Sequence, residues 1–310
     1  MVMKSQKLPT FLIVGAAKAG TTSLYHYLGD HPDVFTSPIK EPFFFSFMKE
    51  TPDFRGPYDE EINASIITDW AEYIALFKEA EEEQIRVEAS NAYLYFSERT
   101  APRIREYLGS PKILISLRNP VHRAFSHYRQ FLMLGHENRP FEGMLELEEE
   151  RERRNWRWHY QLIQQSLYYE DVNRYINTFG RENVHILFFK DFVEKTSREM
   201  KKIASFLSID PNFYIDYEFE VHNQSGVPRS KFLHQLLRGS NWVKEVTRPF
   251  TPNWLRGKLA TFLESMNYDS TKAPILKCKT ERQLYQRFRE DIDKLEQLLQ
   301  RDLSAWRFSD

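Results

Sequence analysis

Phe11-Leu-Ile-Val-Gly15-Ala-Ala-Lys18-Ala-Gly20-Thr-Thr-Ser23-Leu24 reads as a strand, a glycine loop and a helix, and the rest of the chain is organised around it. Phe11 to Val14 is a short apolar, partly β-branched run, Gly15 and Gly20 permit unusual backbone angles, and Thr21, Thr22 and Ser23 supply hydroxyls where a helix begins. Such a turn is an anion cradle. N–H groups at a helix start point outward, the helix dipole favours negative charge there, and Lys18 adds a full positive charge within the loop. The expected guest is a phosphate or sulfate group; the plain alternative is an ordinary turn with a solvated lysine.

The place of the lysine matters more than the glycines. A nucleoside-triphosphate P-loop reads G-x-x-x-x-G-K-[ST], with lysine directly after the second glycine to reach the β- and γ-phosphates. Here Thr21 follows that glycine and Lys18 stands two residues before it. This order argues against a standard ATPase or GTPase.

Composition sets the bounds. The 310 residues, 41% of them hydrophobic, suffice for a sizeable core, and no linker, repeat or low-complexity tract divides them. One domain over residues 1–310 is therefore expected. Against 43 basic residues stand 44 acidic ones, a net charge of −1, so there is no global pull toward nucleic acid or an anionic membrane and any anion site must be local. Cys278 is the sole cysteine, which excludes an intrachain disulfide and a thiolate-rich zinc site and fits a reducing compartment. Met1 to Thr10 has no apolar core of a signal, and no segment approaches the ~18 apolar residues of a membrane span, so a cytoplasmic protein is expected.

Along the chain, Thr21 to Gly29 is the first helix, and His31 to Pro38 is extended between prolines. In Lys40-Glu-Pro-Phe-Phe-Phe45 the three phenylalanines predict burial. A carboxylate just before them would be partly desolvated and suited to accept a proton; the alternative is that Glu41 only pairs with Lys40 or Arg55 at the surface. Asp69 to Glu83 has helical spacing with an acidic end, Ile85 to Ala89 reads as a strand, and the polar Ser90-Asn91 step after it falls where open parallel sheets bind ligands. A helix is expected over Ser97 to Leu108. Lys112 to Leu117 is the clearest buried strand, followed at once by Arg118, a capping Asn119, Pro120 and an amphipathic helix to about Leu134 that carries Ser126 two turns in. Arg118 at a strand end can be a phosphate fork, or it can form a salt bridge across the sheet. Phe141 to Trp158 is charged and expected to be mostly helical, its Arg151 to Arg157 run forming either an anion-gripping patch with the tryptophans or a solvated helix with two core tryptophans. Helices are predicted at Ser166 to Phe179, from Lys190 to about Leu207 and at Leu284 to Leu303, with a strand at Val184 to Phe189 and a polar loop at Val221 to Ser230.

Arg118-Asn-Pro-Val-His-Arg-Ala-Phe-Ser126 resembles the 3′-phosphate motif of the sulfotransferases that use 3′-phosphoadenosine 5′-phosphosulfate (PAPS), and Gly15 to Ser23 resembles their 5′-phosphosulfate loop. Lys40-Glu41-Pro42-Phe43-Phe44-Phe45 is similar to the Lys-Glu-Pro-His-Phe-Phe segment of the heparan-sulfate 3-O-sulfotransferase branch, whose glutamate is the proposed base, with Phe43 in place of histidine. Val221 to Ser230 is similar to the Asn-x-Ser-Gly-x-Pro-Arg segment of bacterial relatives and holds His222, a second candidate base ranked below Glu41. The resemblance covers most of the chain, and is weakest at about 138–160 and 240–273; an acceptor-side excursion is expected at about 138–165.

The resemblance implies a PAPS-dependent sulfotransferase on an α/β fold, P-loop-like, with a central parallel sheet between helical layers; the alternation of strands and helices independently predicts that class. It implies that Lys18 stabilises the leaving oxygen, that Ala19, Gly20, Thr21, Thr22 and Ser23 help hold the phosphosulfate, that Glu41 takes the acceptor proton, and that Arg118 and Ser126 bind the 3′-phosphate. PAPS would leave as adenosine 3′,5′-bisphosphate (PAP), with no metal. The acceptor stays open among glycan, lipid, metabolite and carrier-tethered hydroxyacyl chain. Two alternatives remain: a nucleotide-dependent kinase with an atypical P-loop, and a non-catalytic binding module on the same fold.

Overall fold

In the computed structural model, residues 7–220, 227–228, 268–269 and 274–307 are described. Five strands form one wholly parallel sheet: β1 (Phe11–Gly15), β2 (Val34–Thr36), β3 (Ile85–Ala89), β4 (Lys112–Leu117) and β5 (Val184–Phe188), in the order β2-β3-β1-β4-β5. β1 is central, with Phe11 opposite both Val87 and Lys112. Its side chains alternate between two cores. Leu12 and Val14 join Ile113, Ile115, Tyr93, Val121 and Tyr175 on one face, while Phe11 and Ile13 join Leu114, Leu24, Leu28 and Ile203 on the other. Both sets are apolar because helices cover both faces of the sheet, which makes this the predicted three-layer α/β fold.

The helix at Thr21–Gly29 and that at Pro120–Leu134 match their expected bounds. Asn119 caps the second through Oδ1, which accepts from the N–H groups of Val121 at 3.0 Å and His122 at 3.2 Å, and Gly135, at φ 72°, closes it.

Elsewhere tertiary contacts overrule local pattern. The helix expected over Asp69 to Glu83 spans only Trp70–Ala75, after which three-residue turns carry Phe77 and Ala80 inward; its acidic end would have opposed the helix dipole. The helix expected from Ser166 starts at Tyr169, because Asp291 of the distal helix Cys278–Leu299 accepts from the N–H groups of Tyr168 at 2.8 Å and Tyr169 at 3.0 Å. That distal helix ends at Leu299, where Gln300 turns left-handed at φ 49°, rather than at Leu303. Phe141 to Trp158 breaks into Phe141–Glu146 and Glu148–Arg153, followed by a reversal at Asn155, φ 57°. Glu148 is turned inward there and accepts from the N–H of Ile163 at 3.1 Å, which a continuous solvated helix could not provide. No helix among the described residues is long and apolar enough to cross a membrane.

Candidate active site

After β1 the chain reverses through residues 16–20. Lys18 and Gly20 take left-handed angles, φ 69° and 86°. At Gly20 a side chain would also meet the Phe189 ring at 3.1 Å, so conformation and space both call for glycine. The loop is tied to β4: the Ala16 N–H donates to the Ser116 carbonyl at 2.7 Å, and Ser116 Oγ donates to the Ala19 carbonyl at 2.6 Å. No side chain caps the start of the helix Thr21–Gly29, so its positive end is open to an anion. Burial, helped by the charge of Arg118, pushes Lys18 down to about 8.

This loop lies at one wall of a cavity of about 870 Å³, which sits at the carboxyl ends of the strands, where an open parallel sheet takes its ligands. Every strand sends a side chain to it: Lys18 follows β1, Lys40 and Glu41 follow β2, Asn91 follows β3, Arg118 follows β4 and Phe189 follows β5. Ser126 reaches it from the helix Pro120–Leu134, and Gly20, Thr21, Thr22 and Ser23 complete the loop side. Ala19 is buried away from the cavity, its N–H directed at the Ala16 carbonyl at 3.3 Å. His222 lies outside the described residues.

Glu41 sits at a left-handed position, φ 64°, with its N–H on the Ala89 carbonyl at 2.8 Å. Its Oε1 accepts from Lys40 Nζ at 2.7 Å and from Asn91 Nδ2 at 2.8 Å. The Lys40 pair therefore exists, but inside the cavity, while Arg55 pairs with Asp53 at 2.7 Å. Phe43, Phe44 and Phe45 are buried beside it as the sequence predicts. Arg118 makes no salt bridge among the described residues. One guanidinium N–H donates to the Lys18 carbonyl at 3.1 Å, and the group lies 4.6 Å from the centre of the Phe189 ring.

The far wall holds Tyr58, His136 and His159, which pattern reading missed, beside an arginine of the basic run. Arg157 pairs with Asp59 at 3.0 Å, and Arg151 with the buried Glu137; these two arginines are buried while Arg153 and Arg154 are exposed, so the basic run is not a free anion patch and only its middle is solvated. Only Arg157 of these two lines the cavity, beside His159, His136 and Tyr58. Arg123, fully buried on the helix behind, donates to Ser166 Oγ at 2.7 Å and to the Leu162 carbonyl at 2.5 Å. Burial, with Arg123 alongside, holds His127 well below the usual imidazole range. Tyr58, His136 and His159 carried no local signal, whereas Asn91, on the Glu41 side, stood just after a strand.

Comparison with known proteins agrees with this geometry. A family model described as "Sulfotransferase domain" matches residues 8–224. Heparan sulfate glucosamine 3-O-sulfotransferase 5 of Mus musculus is 27% identical over 208 residues, covering 66% of this chain and 55% of that protein. The membrane-associated sulfotransferase kil1 of Dictyostelium discoideum is 22% identical over 295 residues, covering 70% of this chain and 59% of its own length. The chain thus matches somewhat more than half the length of these relatives. A crystal structure of a sulfotransferase from Alicyclobacillus acidocaldarius superposes with a TM-score of 0.74 at 31% identity, covering 97% of this chain and 99% of that one.

Proposed function

The chain belongs to the sulfotransferase family, and from that premise we propose that it transfers the sulfuryl group of PAPS to an acceptor hydroxyl, as one domain over residues 1–310. The observation that carries this reading is the meeting of Lys18, Glu41, Arg118 and Ser126 around one cavity at an uncapped helix start. Bound there, PAPS supplies an activated sulfuryl group on a phosphate leaving group. The N–H groups of Gly20 to Ser23 and the Lys18 ammonium hold the phosphosulfate and neutralise charge on the bridging oxygen. Arg118, with one donor committed to the Lys18 carbonyl, offers its other donors to the 3′-phosphate together with Ser126. Glu41, oriented by Asn91 and Lys40, takes the proton of the attacking hydroxyl as the new S–O bond forms and the old one breaks.

Glycan and carrier-tethered hydroxyl compounds are both acceptors this chemistry would serve. A cytoplasmic setting is part of the proposal, and the lone, exposed Cys278 is compatible with it. The test is incubation with sulfate-labelled PAPS and a panel of glycan, lipid, phenolic and carrier-tethered alcohols. Labelled product that disappears in Lys18→Ala is expected. Binding of ATP with magnesium in preference to PAP would point to a kinase instead, and PAP binding with no transfer across the panel to a binding module.

A further inference from the structure

The acceptor end of the cavity has a charge pattern that the donor end lacks. Donor-side cations, Lys18 and Arg118, have no carboxylate salt-bridge partner among the described residues; Arg157, the cation of the far wall among those residues, is ion-paired, its Nε alone left without a partner. Arg157 Nη1 lies 3.0 Å from Asp59 Oδ1 and donates to the Tyr58 carbonyl at 3.2 Å, while Nη2 meets His136 Nδ1 at 2.9 Å. An anionic acceptor would have to draw Arg157 from a buried carboxylate, a costly exchange, and would lie near the exposed Glu61. Beside Arg157 this wall carries an apolar and flat surface, with Gln130 and His127 as further polar residues. Ile62, Phe131 and Leu134 line it, and the Tyr58 ring, half exposed, stacks on His136 with centroids 4.4 Å apart and planes at 22°. His159 adds no charge to this wall: burial together with the Arg157 charge pushes the ring down to about 3, so it is uncharged at neutral pH.

We propose that this end of the cavity selects an uncharged hydroxyl compound with a flat, apolar body that packs on Tyr58 and Phe131, and rejects polyanionic acceptors. The inference rests on the reading of the donor end as a PAPS site.

The test is calorimetric binding to the PAP-saturated protein of two probes of the same shape, 2-naphthol and 6-hydroxy-2-naphthoate. Wild type should bind the naphthol at least about tenfold more tightly, since the carboxylate loses its water without gaining a free cation. Glu61→Lys should narrow that gap, and Tyr58→Ala should weaken naphthol roughly several-fold by removing the stacking face. PAP affinity measured in parallel shows that each variant is folded. Equal or tighter binding of the carboxylate to wild type overturns the inference, and so does failure of both probes to bind a PAP-loaded protein. A protein that binds no PAP overturns the donor reading instead, so the two failures are separable.

Discussion

Arg118→Ala is the sharpest test of how the donor is held. In the structure the guanidinium has no salt-bridge partner among the described residues, lies over Phe189 at 4.6 Å and commits one N–H to the Lys18 carbonyl at 3.1 Å. Two contributions are lost on substitution, and they differ in what they affect. The Lys18 carbonyl bond is an ordinary neutral-acceptor contact of about 1 kcal/mol, and its loss loosens the loop for any 5′-phosphate ligand, roughly a fivefold effect. The proposed contact with the 3′-phosphate is charge-assisted, worth about 3 kcal/mol or roughly a hundredfold in affinity, and affects only ligands that carry that group. Calorimetric titration with PAP and with adenosine 5′-monophosphate separates the two. PAP should lose roughly a hundredfold more affinity than it would from the loop alone, and the monophosphate only a few-fold. An equal loss for both ligands would refute the 3′-phosphate role and leave Arg118 as a brace for the Lys18 loop.

Glu41→Gln should keep PAP affinity within about twofold while transfer falls by roughly two to four powers of ten, the range for a lost general base; single-turnover transfer from labelled PAPS measures it, and retained turnover would remove Glu41 from the base role. With Lys18 at about 8 in the free protein, it is protonated below that pH and an anion binds the protonated form, so PAP affinity should be flat from about pH 7 and fall above about pH 8, by at most tenfold per unit. That break should vanish in Lys18→Ala. Glu88, buried under Tyr73 and raised by desolvation from 4.5 to about 7, binds more protons folded than unfolded, so it lowers stability as pH rises through that window and the full cost is present above it. Glu88→Gln should therefore stabilise the protein at about pH 8, by at most about 3 kcal/mol, and flatten the slope of urea-unfolding free energy between about pH 4.5 and pH 7; an unchanged slope would place the buried charge elsewhere.

The layered fold, and the meeting of Lys18, Arg118 and Ser126 at the end of the cavity proposed to hold the donor, were legible in the sequence, because they are written in short-range signals. The apolar runs of β1 and β4, the two glycines around Lys18, and Asn119-Pro120 behind Arg118 each act within a few residues, and right-handed parallel crossovers then bring the ends of such strands to one edge of the sheet. Helix limits were less legible, as at Tyr169, where the carboxylate that holds the start of the helix comes from Asp291 on another element. The far wall, proposed to meet the acceptor, was written only in the tertiary structure. Arg151 and Arg157 look alike in the chain, a basic run with tryptophans, and nothing local says that Asp59 and Glu137 will meet them. Nor does local pattern orient Glu41, whose partner Asn91 arrives from the next strand, or leave His159 Nδ1 unpartnered at the wall. A glycine loop follows from the backbone angles its own residues allow. The charge of a cavity wall depends on which distant side chains are buried together, and only the folded chain decides that.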